Sequence, residues 1–343
     1  MARTSSIGHA RLIAALGQEP HTPLEEAVET TLVGLGCFAA DENSQAFLHA
    51  WRIAQLARRM TRMTPQSKYE RMESGVNRAD THGRKSMRFK NAITRLPAKT
   101  FSHGLTSSSE GEPSFEKALD QHGRYCGALR ACGLKVDVLA AASEFPDSTF
   151  VEDTAILAAS VAIIMRPGAP SRLGETELIK NAILEYRAEV MQIIAPGTVD
   201  GGDVCQADEH FFIGLSARTN EEGAHQLGGI LQARGFTSSI VDIRGQSRLL
   251  HLKSGIAYLG NKRLVIAPEL SALAAFQHYE LIEVAAAETY AANCIEVNDR
   301  VLIPAGYPKL AAALERLGYT SVALDVSEFR KMDGGLSCLS LRF

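Results

Sequence analysis

The chain has 343 residues, of which 45 % are hydrophobic, 22 % charged and 6 % aromatic, values close to those of soluble globular proteins. Lysine and arginine total 36 and aspartate and glutamate 39, so the formal net charge of −3 offers no basic excess for nucleic acid. The composition excludes collagen-like, wholly disordered and membrane-embedded classes, because the longest apolar run, Thr154–Met165, is far shorter than the ~20 residues of a bilayer span.

The six cysteines are scattered along the chain. They form neither a C-x-x-C pair nor a cluster with histidine at zinc-ligand spacing. The N-terminus has no secretory signal pattern, so we expect a cytoplasmic protein with free thiols. One of these thiols is then a candidate nucleophile.

Residues 1–86 differ in composition from the rest of the chain, being acidic at first and then basic. Helices are predicted from Thr22 and over Ser44–Met60, and a polar linker follows them. The basic face of the second helix would suit RNA or an acidic partner, although such faces are usually solvated. We predict a boundary at Met87, with an upstream extension that is partly helical, disordered or not translated at all.

From Met87 onward, strands alternate with helices, which indicates an α/β fold. Apolar spacing and capping residues predict helices over Ser114–Cys132, Glu175–Arg187, Asn220–Arg234 and Pro308–Leu317. Short strands are predicted over Phe89–Leu96, Leu134–Leu139, both flanks of Ala158–Ser160, Leu264–Ala267, Cys294–Val297 and Val301–Pro304. Two or three strands for each helix do not fit a doubly wound sheet, and they divide the region into roughly five strand–strand–helix units.

Two polar clusters point to binding of a charged ligand. Asp147, Glu152 and Asp153 surround the start of an apolar strand, and they predict either a solvated turn or a site for a cation. The loop Arg166–Arg172 is fixed by two prolines and a glycine. It is either an ordinary surface loop or a place where arginine captures a carboxylate through two hydrogen bonds.

Two further clusters point to catalysis. The motif Asp200-Gly-Gly-Asp203 lacks the strand–loop–helix context of a phosphate site, so a close backbone approach that brings a carboxylate into a site is favoured. A lone His251 or Cys338 is more often structural than catalytic. The chain order Asp200, His251, Cys338 nevertheless allows a cysteine-hydrolase triad.

Taken together, these clusters resemble the dimethylarginine dimethylaminohydrolase family of the guanidino-group-modifying, or pentein, superfamily. The matching segments are Phe-Val-Glu-Asp (150–153), Arg-Pro-Gly-Ala-Pro-Ser-Arg (166–172), Asp-Gly-Gly-Asp-Val (200–204), Ile-Gly-Leu-Ser-Ala-Arg-Thr-Asn (213–220), His-Leu-Lys (251–253), Ala-Ala-Asn-Cys-Ile (291–295) and Asp-Gly-Gly-Leu-Ser-Cys (333–338). The resemblance covers about Phe89–Phe343, whereas residues 1–86 match nothing in the family pattern. It implies five ββαβ-like units in a closed α/β propeller with a central active site.

The resemblance also implies a reaction, the hydrolysis of Nω-methylated L-arginine to L-citrulline and methylamine or dimethylamine without a metal or organic cofactor. Cys338 would attack the guanidino carbon to give a thiouronium-type intermediate. His251 would protonate the departing amine and then activate water. Asp200 would orient His251, at a position where related bacterial members carry glutamate.

The substrate-binding residues follow from the same resemblance. Asp153 and Glu152 would pin the guanidinium, Asp147 the α-amino group, and Arg172 and Arg218 the α-carboxylate. The full substrate-binding set is Leu105, Asp147, Glu152, Asp153, Arg172, Arg218 and Asp333. Leu105 lies in the segment Gly104–Ser108, which resembles the loop that caps the substrate in this family and is called the capping loop below. The implied partner is a small molecule, with neither nucleic acid nor membrane, and by resemblance alone a homodimer.

Other functions remain as alternatives. Arginine deiminases and amidinotransferases usually carry His-x-Asp, but here the third position is Lys253, which makes room for N-methyl groups. A non-catalytic binding protein is disfavoured because every expected catalytic position is filled. A cysteine protease is disfavoured because two arginines and three acids fit a small zwitterionic cation better than a peptide. Zn²⁺ bound adventitiously by Cys338 and His251 would inhibit the enzyme.

Overall fold

A computed structural model describes residues 88–343 of the chain. The predicted helices near Thr22 and over Ser44–Met60, the linker, and the boundary at Met87 lie outside the described residues. The strands are β1 Asn91–Arg95, β2 Lys135–Leu139, β3 Ala155–Ala158, β4 Val161–Ile164, β5 Glu189–Gln192, β6 Val204–Ala207, β7 His210–Leu215, β8 Thr237–Asp242, β9 Ile256–Tyr258, β10 Arg263–Ile266, β11 Glu280–Glu283, β12 Ile295–Val297, β13 Arg300–Pro304, β14 Thr320–Leu324 and β15 Leu341–Arg342. The α-helices are α1 Phe115–Ala131, α2 Glu175–Leu184, α3 Glu221–Gln232, α4 Pro268–Ser271, α5 Pro308–Arg316 and α6 Ser327–Arg330.

The strands form five three-stranded sheets that share one topology, so the predicted five units are confirmed. In β3-β4-β5, for example, the central strand β4 runs antiparallel to β3 and parallel to β5, and α2 makes the crossover between the parallel pair. The same arrangement recurs in β6-β7-β8, β9-β10-β11 and β12-β13-β14. The remaining sheet is completed from the end of the chain, where β15 pairs with β1 through Ala92 and Arg342.

The burial pattern explains why these short segments become strands. The four residues of β4 are all buried, as expected for a central strand covered on both faces. The strands β2, β5, β8, β11 and β14 lie at sheet edges and consist mostly of exposed and half-buried residues. Five hydrophobic clusters pack among the sheets and helices instead of a single large core.

The helices begin where their capping residues predict. The side chain of Ser114 accepts a hydrogen bond from the Lys117 amide, and that of Asn220 accepts one from Gly223. Helix α2 ends three residues earlier than predicted, because the chain turns so that the ring of Tyr186 packs on Phe343 with centroids 4.8 Å apart. The sequence did not predict α4, a helix of only four residues.

A short 3-10 turn precedes the first strand of each sheet. We call these the five site turns: Val151–Thr154, Gly201–Asp203, Leu252–Ser254, Ala286–Ala292 and Ser337–Leu339. The first four contact one another in chain order, and the last contacts the first. Asn293, which follows the fourth turn, donates a hydrogen bond to the Ser337 hydroxyl and accepts one from the Ser337 amide, so it connects the fourth turn with the fifth. The polar clusters singled out in the sequence therefore meet at one place.

No helix within residues 88–343 combines the length and the apolar character needed to cross a bilayer. The cysteines in this region, Cys126, Cys132, Cys205, Cys294 and Cys338, are free thiols.

Candidate active site

The centre of the site is a buried ion pair between Asp153 and Arg172. Nη1 of Arg172 lies 2.5 Å from Oδ2 of Asp153, and both side chains are almost fully buried. The amide of Gly202 donates to the other carboxylate oxygen at 2.8 Å. Burial acts to raise the pKa of Asp153, but the cationic His251 and Arg172 outweigh it and lower the pKa to about 2. Asp153 is therefore a carboxylate at neutral pH.

Arg172 is heavily engaged within the protein. Its Nε and Nη2 donate to the carboxylate of Glu175, and Nη2 also donates to the Phe150 carbonyl at 2.9 Å. Together with the bond to Asp153, this uses four of the five N–H groups of the guanidinium. The short turn Pro170–Arg172, which begins with a proline, places this side chain against Asp153. The sequence did not predict a role for Glu175, although it lies only three residues away.

His251 is held by Asp200, as the family resemblance implies. Nε2 of His251 lies 3.0 Å from Oδ2 of Asp200, a fully buried carboxylate whose Oδ1 accepts the Gly168 amide at 2.8 Å. Burial acts to lower the pKa of His251, but the carboxylates of Asp153, Asp203 and Asp200 overcome it and raise the pKa to about 9. The imidazole is therefore a cation at neutral pH, and Nε2–H donates to Asp200.

Asp203 is a second buried carboxylate near His251 that the sequence analysis left without a role. Its oxygens accept hydrogen bonds from the hydroxyls of Ser216 and Thr219 and from the amide of Leu252. Burial raises its pKa to about 6 despite the opposing effect of His251 and these hydrogen bonds. Because Leu252 directly follows His251, Asp203 fixes the backbone that presents the imidazole. Its place in the Asp-Gly-Gly-Asp motif was the available signal.

The two glycines of this motif permit the close approach that the sequence predicts. A Cβ on Gly202 would lie 2.7 Å from Nδ1 of His251 and 2.9 Å from Oδ1 of Asp153. A Cβ on Gly201 would collide with the carbonyl oxygen of Glu152. The site turns that carry Asp153 and His251 can therefore pack together only around glycine.

Glu152 forms an ion pair with Lys253 of the third site turn. Nζ of Lys253 lies 2.6 Å from Oε1 of Glu152, and the Ser337 hydroxyl donates to Oε2 at 2.7 Å. Lys253 occupies the position where deiminases usually carry aspartate. At this position Lys253 therefore presents an ammonium group in place of a carboxylate.

Cys338 is half-buried beside these carboxylates. The amide of Gly335 donates to its sulfur at 3.4 Å. Burial, with the nearby negative charges of Glu152 and Asp153, raises the pKa of the thiol to about 12. The sulfur is therefore a neutral thiol at neutral pH unless a further positive charge arrives.

The remaining predicted residues lie at the rim of the site. The amide of Leu105 donates to both oxygens of Asp147, at 3.0 and 3.2 Å, and the Leu105 side chain is exposed. Burial raises the pKa of Asp147. Asp333 accepts hydrogen bonds from the amide and hydroxyl of Ser107, so it anchors the capping loop and not the charged centre. Arg218 is partly exposed, with Nη1 3.8 Å from Oδ2 of Asp200.

Asp153, Asp200 and His251 each offer one metal-ligand atom within 4.8 Å of the others. Arg172 and the imidazolium already neutralise the two carboxylates, so this group suits an internal charge network better than a metal cation.

Comparisons with known proteins extend these observations. A family model described as arginine deiminase matches residues 142–303. The chain is 48 % identical over 256 residues to the N(G),N(G)-dimethylarginine dimethylaminohydrolase of Pseudomonas aeruginosa, covering 74 % of this chain and all of that protein. It is 34 % identical over 260 residues to the protein of the same name from Streptomyces coelicolor, covering 74 % of this chain and 96 % of that one.

A similar solved structure is that of a cysteine-to-serine variant of the P. aeruginosa enzyme complexed with citrulline. It has 47 % identity and a TM-score of 0.73, and the match covers 75 % of this chain and all of that chain.

Replacing Asp200 with asparagine tests the electrostatics of His251. Asp200→Asn removes the negative charge nearest to the imidazolium, so we expect the pKa of His251 to fall by at least about one unit. Because the folded pKa exceeds the unfolded one, protonation of His251 stabilises the fold fully below pH ~6.5, and this contribution is lost as the pH rises through about 9. NMR titration of the imidazole nitrogens measures the shift.

Asp147→Asn serves as the control, because the Leu105 amide binds this site carboxylate, whereas His251 is hydrogen-bonded to Asp200. A pKa that stays near 9 in Asp200→Asn would contradict the assignment of Asp200 as the partner of His251.

Proposed function

The chain belongs to the dimethylarginine dimethylaminohydrolase family, and on that premise we propose that it hydrolyses Nω-methylated L-arginine to L-citrulline and methylamine or dimethylamine. The observation that carries the proposal is the placement of the half-buried Cys338 thiol near the carboxylates of Glu152 and Asp153, in a site where Asp200 holds His251 by a 3.0 Å hydrogen bond. This arrangement lacks one positive charge, which a guanidinium substrate supplies.

Binding of the substrate activates the nucleophile. The guanidinium carbon is a poor electrophile because its charge is spread over three nitrogens, and the carboxylates of Asp153 and Glu152 orient it and localise the charge. The same cation lowers the pKa of the adjacent Cys338 thiol, whose proton is released. The enzyme therefore forms its thiolate when substrate is present, and the resting thiol is protected from oxidation.

The reaction then has two chemical steps, the formation of a covalent intermediate on Cys338 and its hydrolysis. The Cys338 thiolate adds to the guanidino carbon, the bond from that carbon to the methylated nitrogen breaks, and His251 gives its proton to the leaving amine. Neutral His251 next takes a proton from water as the oxygen adds to the carbon of the thiouronium intermediate. The C–S bond then breaks, citrulline leaves, and the remaining hydroxyl proton of the former water passes to the departing sulfur, which restores the neutral Cys338 thiol. Asp200 keeps His251 cationic at the start of each cycle.

The amino-acid end of the substrate binds at the rim. Arg218 is partly exposed and suits the α-carboxylate, whereas Asp147, held by the Leu105 amide, suits the α-amino group. Arg172 has one N–H group left for the substrate, on Nη1, because its other four hold Asp153, Glu175 and Phe150. We therefore assign binding of the α-carboxylate mainly to Arg218, whereas Arg172 mainly holds Asp153 and Glu175 in place.

The identity of Lys253 favours methylated arginine over arginine. An unsubstituted guanidinium presents an extra N–H group, which a carboxylate at this position would bind. Here an ammonium group stands there, paired with Glu152. The arginine deiminase match over residues 142–303 supports deimination as the second candidate function, and Lys253 is the residue that argues against it.

The same proposal extends to the closure of the fold, the domain boundary, the cellular location and the oligomeric state. The contacts around the five site turns support closure of the five sheets into a propeller with the active site on its axis. The catalytic domain would begin at Met87 and exclude the extension 1–86. A cytoplasmic location, expected from the N-terminal sequence, and a homodimer, expected from the family resemblance, stay predictions.

The direct test of function is the product formed by wild type and by Cys338→Ser. Wild-type protein should release citrulline and dimethylamine from asymmetric dimethylarginine and act far more slowly on arginine. Cys338→Ser should reduce citrulline formation at least about a thousandfold, because the serine hydroxyl is a much weaker nucleophile here. Cys132→Ser, at a half-buried free cysteine that follows α1 and belongs to none of the site turns, is the matched control. Near-normal citrulline formation by Cys338→Ser would refute the mechanism.

The two arginines should differ when each is replaced with alanine. Arg218→Ala should raise KM for dimethylarginine at least about tenfold, since it removes a charged partner of the α-carboxylate. Arg172→Ala should instead lower stability by about 3–5 kcal/mol, because it leaves Asp153 and Glu175 as unpaired buried carboxylates. Steady-state kinetics and chemical denaturation measure the two effects. An unchanged KM in Arg218→Ala would overturn the assignment of this residue.

A further inference from the structure

Asn293 is buried beside the site, but the proposed reaction gives it no part. It follows the fourth site turn, Ala286–Ala292, and precedes β12. Its side chain is 5 % exposed. A buried amide normally has hydrogen-bond partners, and the identity of those partners indicates what it holds in place.

The amide side chain joins two other turns. Oδ1 of Asn293 accepts the Ser337 amide at 3.0 Å, while Nδ2 donates to the Lys253 carbonyl at 2.9 Å and to the Ser337 hydroxyl at 3.1 Å. Ser337 immediately precedes Cys338, and Lys253 lies two residues after His251. One side chain therefore binds the backbone next to both residues that the reaction uses.

The loop 333–338, which we call the Cys338 loop, has a glycine where the Asn293 side chain approaches it. A Cβ on Gly335 would lie 2.5 Å from Oδ1 of Asn293, so glycine is required for the approach. The hydroxyl of Tyr290 donates to the Gly334 carbonyl at 2.8 Å and holds the other end of the loop. The segment 290–293 is thus hydrogen-bonded to the Cys338 loop at Gly334 and at Ser337.

We propose that Asn293 is a positioning residue that sets the separation between the Cys338 sulfur and the His251 imidazole, with Tyr290 as its support. This inference rests on the proposed function. Proton transfer from His251 to the leaving amine requires the two groups to face the same carbon, and a displacement of about 1 Å can cost a hundredfold in rate. Hydrogen bonds to backbone groups, unlike packing alone, fix both direction and distance.

The leaving group of the substrate separates this role from a merely structural one. Dimethylamine leaves only if His251 protonates it, because an amide anion is too basic to depart. S-methyl-L-thiocitrulline instead releases methanethiolate, which departs without a proton. An enzyme with a displaced His251 therefore loses more rate with the amine substrate than with the thiol substrate.

The experiment compares Asn293→Ala with Asn298→Ala in the full chain. Asn298 is a matched control, because its side chain also makes three hydrogen bonds, in this case all to backbone groups of Phe89 and Cys132 outside the site turns. In Asn293→Ala, first-turnover amine release should slow at least about a hundredfold and methanethiol release less than about tenfold. KM should stay within about threefold, because the rim residues are untouched. Asn298→Ala should leave both rates near wild type.

Equal slowing of both substrates in Asn293→Ala, or no slowing beyond that of Asn298→Ala, would overturn the inference. If Asn293→Ala does not fold, Tyr290→Phe removes a single hydrogen bond to the same loop and should show the same bias at smaller size. A Tyr290→Phe variant with wild-type rates for both substrates would then count against the proposal.

Alkylation of Cys338 by iodoacetamide keeps this test independent of activity. Release of the Cys338 loop should speed alkylation at least about fivefold in Asn293→Ala, because the half-buried sulfur becomes more accessible. If wild-type protein turns over neither substrate, the proposed function fails while alkylation still decides the inference. An alkylation rate equal to that of Asn298→Ala would overturn it.

Discussion

The buried ion pair between Asp153 and Arg172 is the interaction on which the rest of the site depends. Two charges this deeply buried are stable only because each finds several partners, and loss of one partner typically costs about 3–5 kcal/mol. The pair keeps Asp153 ionised, and that charge in turn raises the pKa of both His251 and Cys338. The charge on Asp153 thus adds to burial and Glu152 in raising the pKa of the thiol and, together with Asp203 and Asp200, keeps the proposed acid cationic.

The repeated fold explains how so many charged groups come together. Each sheet supplies one turn ahead of its first strand, and the turns contact one another through glycine where side chains would collide. Residues distant in sequence, such as Asp153, His251 and Cys338, therefore lie close without long irregular loops. Rigid strands behind each turn hold the groups in place, as a site with preorganised charge requires.

Much of this could be predicted from the sequence where local signals act. Caps and apolar spacing located the main helices, and the Gly-Gly pair indicated the close approach at residues 201–202. The partners of buried polar groups could not be predicted in the same way. Glu175 resembles any acid in the first turn of a helix, yet it takes two N–H groups of Arg172. Asn293 and Asp203 likewise act through bonds to residues far away in sequence, which local patterns do not encode.

The central claim is that Cys338 is a neutral thiol until a guanidinium cation binds beside it. The most direct test is a pH titration of thiolate absorbance near ~240 nm, taken as the difference between wild type and Cys338→Ser, with and without saturating L-arginine as a slowly hydrolysed cation. We expect the free protein to form no thiolate below pH ~9 and the ligand to lower the midpoint of thiolate formation by at least about two pH units. A free-protein midpoint below pH ~8, unchanged by the ligand, would contradict it.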